Sequence, residues 1–250
     1  MKGLLLTGDY VPREGYVLSG RELDGDHRAL NGNAIWKNTK LEMRDDIPMP
    51  EVGPKDILVK IKYCGVCGSD VHFFERDSDG YMLFPGHTKL PVVIGHEFSG
   101  EVVETGAAVK NVKVGDLVTV EEMLWCGECT PCRAGYLNQC RQLEELGFTL
   151  NGAFAEYVVA HSKYAWKLND IAEMTGDLDR TFRTGALVEP TSVAYNGVIT
   201  SSGGILPGQS VAVFGTGPIG CAAMQILRAA GAARVIAFEM RPERRELAQR

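Results

Sequence analysis

SVAVFGTGPIGCAAMQILRAAGAARVIAFE, running from Ser210 to Glu239, is the stretch that decides the fold. Val211 to Phe214 is a short apolar run bounded by a turn, which reads as a buried strand. The loop Gly215-Thr216-Gly217-Pro218-Ile219-Gly220 follows, and then an Ala-rich stretch reads as a helix ending at Gly231. Arg234 to Phe238 is a second apolar strand, and Glu239 closes it nineteen residues beyond Gly220. A lone G-x-G-x-x-G is weak. Between a strand and a helix, with an acid at this distance, it predicts the start of a doubly wound (Rossmann) dinucleotide domain. Gly215 permits the tight turn, Gly217 lets backbone approach a pyrophosphate, and Gly220 packs the helix on the strand. The helix N-terminus then faces the phosphates with free N–H groups. Glu239 would accept from ribose hydroxyls and repel a 2′-phosphate, which favours NAD over NADP. Arg241, Arg244 and Arg245 keep NADP open, since arginines near this point can receive that phosphate. The bland alternative is a doubly wound domain that binds no nucleotide.

Upstream the pattern changes. Ile57 to Tyr63, Gly100 to Glu104, Asp116 to Val120 and Ala155 to Val159 are short β-like runs separated by Gly/Pro turns, which predicts a β-rich, barrel-like domain. Glycine is abundant, 29 residues or about 12% against a usual ~7%, as turn-rich β structure and glycine-built loops require. Asp170 to Phe182 is polar and more helical, and Val17 to Lys37 shows only weak periodicity and reads as an extended loop. The boundary falls near 185, with 1–185 as one domain and 186–250 as the first half of the nucleotide domain. A doubly wound domain needs six strands, and only 35 residues follow Gly215, so the nucleotide domain is expected to be incomplete.

The net charge of -6 lacks the electrostatic footprint of a nucleic-acid binder. No apolar run approaches the roughly 18–20 residues that span a bilayer, and the first residues carry too short an apolar block for a signal peptide. No membrane or nucleic-acid partner is expected, and the cytoplasm is the default compartment.

Seven cysteines are present, and four of them, Cys126, Cys129, Cys132 and Cys140, fall within fifteen residues. In a reducing compartment clustered thiols point to metal rather than disulfides. C-x2-C-x2-C-x7-C can bring four thiolates from one loop around a tetrahedral ion, with Gly127, Pro131 and Gly135 supplying the turns. Four thiolates close the shell, so such a zinc would be structural, in a lobe at 121–143. An iron–sulfur cluster is the competitor, but its fourth Cys follows after three residues and precedes Pro; here it follows after seven and precedes Arg141. Plain buried thiols are the remaining alternative. Cys64 and Cys67 form a second C-x2-C, and Gly95-His96-Glu97 follows the short strand Pro91 to Ile94. A His-Glu pair at a strand end, with thiols upstream, has the makings of an open N/S/O zinc site.

Together these residues resemble the zinc-dependent medium-chain alcohol/polyol dehydrogenase family, from about Met43 onward. G-H-E-x-x-G-x5-G-x-x-V is met by Gly95, His96, Glu97, Gly100, Gly106 and Val109. The four-cysteine lobe, the segment Cys64-Gly65-Val66-Cys67-Gly68-Ser69-Asp70-Val71-His72 and the glycine loop follow in the family's order. The residues before Cys126 and Glu189-Pro190-Thr191-Ser192 look most like the polyol branch, which includes sorbitol, butanediol, threonine and inosose-type enzymes. The resemblance implies a GroES-like catalytic domain joined to the Rossmann domain, with one catalytic and one structural zinc. It implies that Cys67 and His96 bind the catalytic zinc, with Glu97 or Glu189 as the further ligand. It implies a proton relay through Ser69 and His72, and dinucleotide contacts from Ile219, Glu239 and Arg244. Cys64 matches no ligand. The activity implied is NAD(H)-linked interconversion of a secondary alcohol of a polyol or cyclitol and its ketone, by a homodimer or homotetramer when full length. The alternatives are another secondary alcohol of the butanediol, sorbitol or threonine type, or a non-catalytic relative. Glu122, four residues before Cys126, is expected to face the pocket and accept from extra substrate hydroxyls; a solvated strand-end carboxylate is the bland reading. His87 is either an entrance residue or an ordinary loop histidine, and His27 and His161 are expected on the surface.

Overall fold

The computed structural model describes residues 1–249. The chain divides into two compact units, Met1–Ala186 and the part from Leu187 onward. No helix among the described residues is long and apolar enough to cross a membrane.

The first unit is β-rich, as the alternating short runs predict. Its strands include β1 (Gly3–Tyr10), β2 (Trp36–Arg44), β3 (Asp56–Gly65), β4 (Val92–Val93), β5 (Glu97–Thr105), β6 (Leu117–Val120), β7 (Met123–Leu124), β8 (Glu144–Glu145), β9 (Tyr157–His161) and β10 (Ala165–Lys167). Five of them form an antiparallel sheet in the order β9-β3-β5-β6-β10. Residues two apart on a strand face the same side. Ile57 with Val59, Val118 with Val120, and Val158 with Ala160 therefore point together, and with Phe98 and Val102 they fill one core. Phe98 is completely buried. Burying a side chain of that size contributes about 1.5–3 kcal/mol. A second sheet, β2-β1-β4, covers another core containing Leu6, Ile35, Trp36, Phe73, Met82 and Phe148. Phe73 belongs to the short helix α1 (Gly68–Phe74), so this core holds the helix whose first turn enters the site.

Val17 to Lys37 carries more structure than an extended loop. Gly20–Leu23 and Gly32–Ile35 are single helical turns, and Arg28–Ala29 pairs with Thr88–Lys89. Glu22, buried at 4% exposure, accepts the N–H groups of Ser19 (2.8 Å) and Leu30 (2.7 Å) and the Tyr16 hydroxyl (3.0 Å). Side-chain-to-backbone bonds of this kind order a segment without leaving hydrophobic periodicity. Helix α2 (Leu178–Ala186) ends the unit, covering Asp179 to Phe182 of the polar stretch read as helical.

The second unit begins with α3 (Val188–Tyr195). It then has β11 (Ser210–Phe214), α4 (Pro218–Ala229), β12 (Arg234–Phe238) and α5 (Pro242–Gln249). Strands β11 and β12 are parallel and in register from Ser210 opposite Arg234 to Phe214 opposite Phe238. Helix α4 buries Ala223 and Leu227, four apart on one face. This is the βαβ start that the glycine loop and its flanks predict.

Candidate functional site

In the first unit, β3 and β5 pair antiparallel with Gly65 opposite Glu97 and Cys64 opposite Phe98. That register carries the turn leaving β3 to the beginning of β5. A Cβ on Gly65 would run into the Glu97 carboxylate, so a larger residue there would push that carboxylate out of its place. Cys67 is the N-cap residue of α1. Its ligand atom and those of His96 and Glu97 lie within 4.8 Å of one another. His96 is 2% exposed. Burial pushes its imidazole down to about 4, and pushes the Cys67 thiol and Glu97 carboxyl upward. Desolvated sulfur, neutral imidazole and carboxyl converging in this way are the donor set of an open zinc site, where a cation would restore the anionic forms.

Asp70 is the site residue that motif reading missed. It is 4% exposed, its Oδ2 accepts the Cys67 N–H at 2.9 Å, and its Oδ1 lies 3.7 Å from His96 Nδ1. Both His96 Nδ1 and Asp70 Oδ1 are buried without a hydrogen bond, an arrangement a group drawing on the ring's other nitrogen would tighten. Metal-ligating histidines usually have such a carboxylate behind them, so the residues present fit a metal at Nε2. A readable signal exists: Cys67-x-x-Asp70 has the spacing of a capping box, with Cys in place of Ser or Thr. Burial raises the Asp70 carboxyl to about 6. On the opposite edge, His96 Nε2 is 3.7 Å from Glu122 Oε2, so Glu122 turns toward the ligand cluster rather than toward bulk solvent.

The other expected residues fall into place around this centre. Ser69 and His72 are on α1. The Ser69 N–H favours the Cys67 thiolate against burial, the Ser69 hydroxyl is buried without a hydrogen bond, and His72 is exposed with Nδ1 2.9 Å from Glu75. Cys64 is half-buried, and desolvation pushes its thiol strongly upward. His87 is no free loop histidine: its Nε2 accepts from Arg28 at 2.8 Å and its Nδ1 is 3.4 Å from Glu145. Arg28 also binds Glu144 at 2.8 Å and is nearly buried. Of the two remaining histidines, His27 stacks on Tyr10 and His161 accepts from the Lys163 N–H. Glu189 stands in the first turn of α3, in the second unit.

Cys126, Cys129, Cys132 and Cys140 also converge, their sulfurs all within 4.8 Å of one another. Gly127 and Gly135 take φ of 84° and 87°, and Pro131 starts the turn Thr130–Arg133. Backbone N–H groups of Glu128 and Cys129 donate to Cys126 Sγ (both 3.4 Å), and those of Cys126 and Gln142 to Cys140 Sγ (both 3.3 Å). The Glu128 and Cys129 N–H groups lower the Cys126 thiol, those of Cys132 and Arg141 bring Cys129 to about 6, and burial drives Cys132 to about 12. Four sulfurs around one centre, with amides stabilising negative charge, fit a closed tetrathiolate metal site.

In the second unit Gly215 has φ 92°, and a Cβ on Gly220 would strike the Gly215 carbonyl. Among the described residues, the Arg244 guanidinium, at 3.9 Å, is the one group within 4 Å of where a Cβ on Gly217 would stand. The loop is thus an open backbone cradle at the N-terminus of α4, fit for a pyrophosphate. Ile219, in the first turn of α4, is 43% exposed and can contact a ligand there. Glu239 sits at the end of β12, where N–H groups of Arg241 and Thr216 hold its carboxyl down at about 2.

Comparison with known proteins extends this picture. Residues 53–170 match the alcohol dehydrogenase GroES-like domain. Scyllo-inosose 3-dehydrogenase of Thermotoga maritima is 46% identical over 256 residues, taking in 100% of this chain and 64% of that protein. A candidate alcohol dehydrogenase structure from Thermotoga maritima superposes with a TM-score of 0.94 at 45% identity, over 99% of this chain and 64% of that one. A candidate zinc-binding dehydrogenase from Sinorhizobium meliloti 1021, solved bound to NADP, aligns with a TM-score of 0.70 at 34% identity, over 89% of this chain and 58% of that one. The chain therefore spans less than two thirds of the length of these relatives.

Proposed function

Since the chain belongs to the zinc-type medium-chain alcohol dehydrogenase family, we propose that the full-length protein is a zinc-dependent NAD(H) oxidoreductase. Its substrate would be a secondary alcohol of a polyol or an inosose-like cyclitol, interconverted with the ketone. The convergence of Cys67, His96 and Glu97, with Glu122 on the outer edge of His96, is the observation that carries this reading. When bound, zinc would supply Lewis acidity toward the substrate oxygen, and a nicotinamide would supply the hydride-accepting or hydride-donating chemistry.

The chain's own residues supply binding, orientation and proton handling. Cys67, His96 and Glu97 hold the catalytic zinc, with Glu189 as the alternative carboxylate ligand. Asp70, with Oδ1 3.7 Å from Nδ1, stands where it would accept the Nδ1 proton of a metal-bound His96, leaving Nε2 as the donor atom. Ser69 is placed beside Cys67 to take the proton leaving the alcohol. His72, exposed one turn along α1, passes it toward solvent. Proton transfer by positioned groups of this kind contributes typically about 10²- to 10⁴-fold. Glu122 accepts hydrogen bonds from substrate hydroxyls beyond the reacting one, which favours a polyol over a simple alcohol. Cys126, Cys129, Cys132 and Cys140 hold a structural zinc. Gly215, Gly217, Ile219, Gly220, Glu239 and Arg244 receive the dinucleotide. NAD is favoured over NADP because the Glu239 carboxylate stands where a 2′-phosphate would come. The full-length protein assembles as a homodimer or homotetramer and works in the cytoplasm.

The test is a reduced-nicotinamide assay on the full-length enzyme with myo-inositol, inosose, sorbitol, butanediol and threonine, paired with zinc analysis. Turnover of a polyol or cyclitol is expected, with two zincs per chain. Cys67→Ser should remove one zinc together with the activity. A single zinc confined to the cysteine lobe, with no turnover, would replace this reading with that of a non-catalytic binding protein.

A further inference from the structure

Thr216, the second residue of the glycine loop, is buried at 2% exposure. Its N–H donates to Glu239 Oε2 at 2.9 Å, and its hydroxyl lies 3.2 Å from that oxygen and 3.1 Å from the Arg244 carbonyl. Glu239 Oε1 accepts the Arg241 N–H at 2.9 Å. Both carboxylate oxygens are therefore pinned, one by the loop and one by the turn behind β12. The neighbouring arginines are sorted by the same turn. Arg245 is folded back, donating to the carbonyls of Glu239 and Met240 at 2.7 and 2.8 Å. Arg244 instead extends its guanidinium to the space beside Gly217. An anion and a cation thus stand at one corner of the loop, and which of them meets an incoming ribose depends on what holds them there.

We infer that Thr216 is a positioning residue for cofactor choice. Through its hydroxyl it joins the Glu239 carboxylate to the glycine loop and ties α5 at Arg244, so that the site prefers a free ribose 2′-hydroxyl to a 2′-phosphate. The inference rests on the dinucleotide reading above. A carboxylate has about four lone-pair sites. One contact from Arg241, one from the Thr216 N–H and a share of the Thr216 hydroxyl leave capacity for ribose hydroxyls. Because these contacts exist before the ligand arrives, the carboxylate meets it without reorganising. Without the hydroxyl the Glu239 carboxylate keeps its two backbone N–H contacts but loses its side-chain tie to the loop, and α5 loses its tie at the Arg244 carbonyl, so the acid and the arginine are both less firmly placed. Repulsion of a 2′-phosphate then falls, and the ribose loses an oriented acceptor.

The experiment uses the full-length enzyme and reads NADH and NADPH binding directly by nicotinamide fluorescence, beside zinc content and thermal unfolding. Thr216→Val keeps the shape and the backbone N–H and removes only the hydroxyl. The expected result is a drop of about fivefold in the preference for NADH over NADPH, the worth of one hydrogen bond. Zinc content and unfolding temperature should stay as in wild type, and Thr216→Ser should restore the preference. If Thr216→Val does not fold, Thr216→Ala read in the same binding assay decides in its place. A folded variant that weakens both dinucleotides by one factor, or leaves the ratio unchanged, overturns the role of Thr216 while sparing the dinucleotide reading. Wild-type protein that binds neither dinucleotide overturns both.

Discussion

Replacing Asp70 by Asn should loosen the catalytic zinc and leave the lobe zinc untouched. The carboxylate lies 3.7 Å from His96 Nδ1 and accepts the Cys67 N–H at 2.9 Å, so one side chain orients two of the proposed ligands. Two full charges at that separation would interact by about 4–5 kcal/mol at an effective dielectric of ~20. A ligating imidazole carries only part of a positive charge, so a fraction of that figure is at stake. Loss of such a backing carboxylate usually costs about 10- to 100-fold in metal affinity, or roughly 1.4–2.7 kcal/mol. The two figures agree if the ring carries about 0.3 to 0.6 of a charge. Asn preserves the shape, and its carbonyl can still accept the Cys67 N–H, so the fold should survive. Ala would leave that buried N–H without an acceptor and cost about 1–3 kcal/mol of stability. The assay is zinc competition with a chromophoric chelator on wild type and Asp70→Asn, resolved into two sites. A weak site shifted by the stated factor beside an unchanged tight site is the expected result. Equal loosening of both sites, or a variant that holds zinc like wild type, would refute the reasoning.

Three further outcomes follow from other contacts. Cys140→Ser should release the lobe metal while sparing the Cys67 centre, because the two groups of ligands share no residue. Metal analysis reading two zincs, or none, in the variant would contradict the separation. Arg28→Ala takes from Glu144 its close cation, leaving Arg21 at 3.9 Å, and takes the donor from His87, while Asp26 keeps Lys89 at 3.2 Å, so it should destabilise the chain by about 1–3 kcal/mol. Glu144 keeps 29% of its side-chain surface, which reduces the cost, and urea unfolding within 0.5 kcal/mol (about the noise of a surface change) of wild type would remove the network from the argument. Glu239 is held near 2, below the ordinary 4.5, by the N–H groups of Arg241 and Thr216. A depressed carboxylate contributes its full stabilisation above its unfolded value and loses it as pH falls through about 2. The ¹³C signal of this carboxyl should therefore stay that of the anion through pH 4, and a midpoint near 4.5 would show that the clamp is absent.

Whatever depends on neighbours in the chain could be read without coordinates. The four cysteines of the lobe sit at gaps that turns at Gly127, Pro131 and Gly135 close, and their sulfurs meet as the spacing implies. The glycine loop, its two strands and its acid occupy one continuous stretch, and the parallel pairing of β11 with β12 follows from it. Val17 to Lys37 is more ordered than its weak periodicity implies, because its order comes from Glu22 binding backbone N–H groups rather than from an apolar face.

The sequence by itself determined the two kinds of unit and the side chains that converge within one segment, because spacing along a short segment already limits which side chains can share a centre. It could not determine the surroundings of His96. Asp70 on one edge and Glu122 on the other come from segments 26 residues away on either side, and only the antiparallel pairing of Gly65 with Glu97 and the burial of Phe73 bring Asp70 there. Nor could it show that Arg28 meets Glu144 across 116 residues, or that Thr216 divides its hydroxyl between Glu239 and Arg244. Those contacts are consequences of strand register and core packing, which act between segments and leave no periodicity in any one of them.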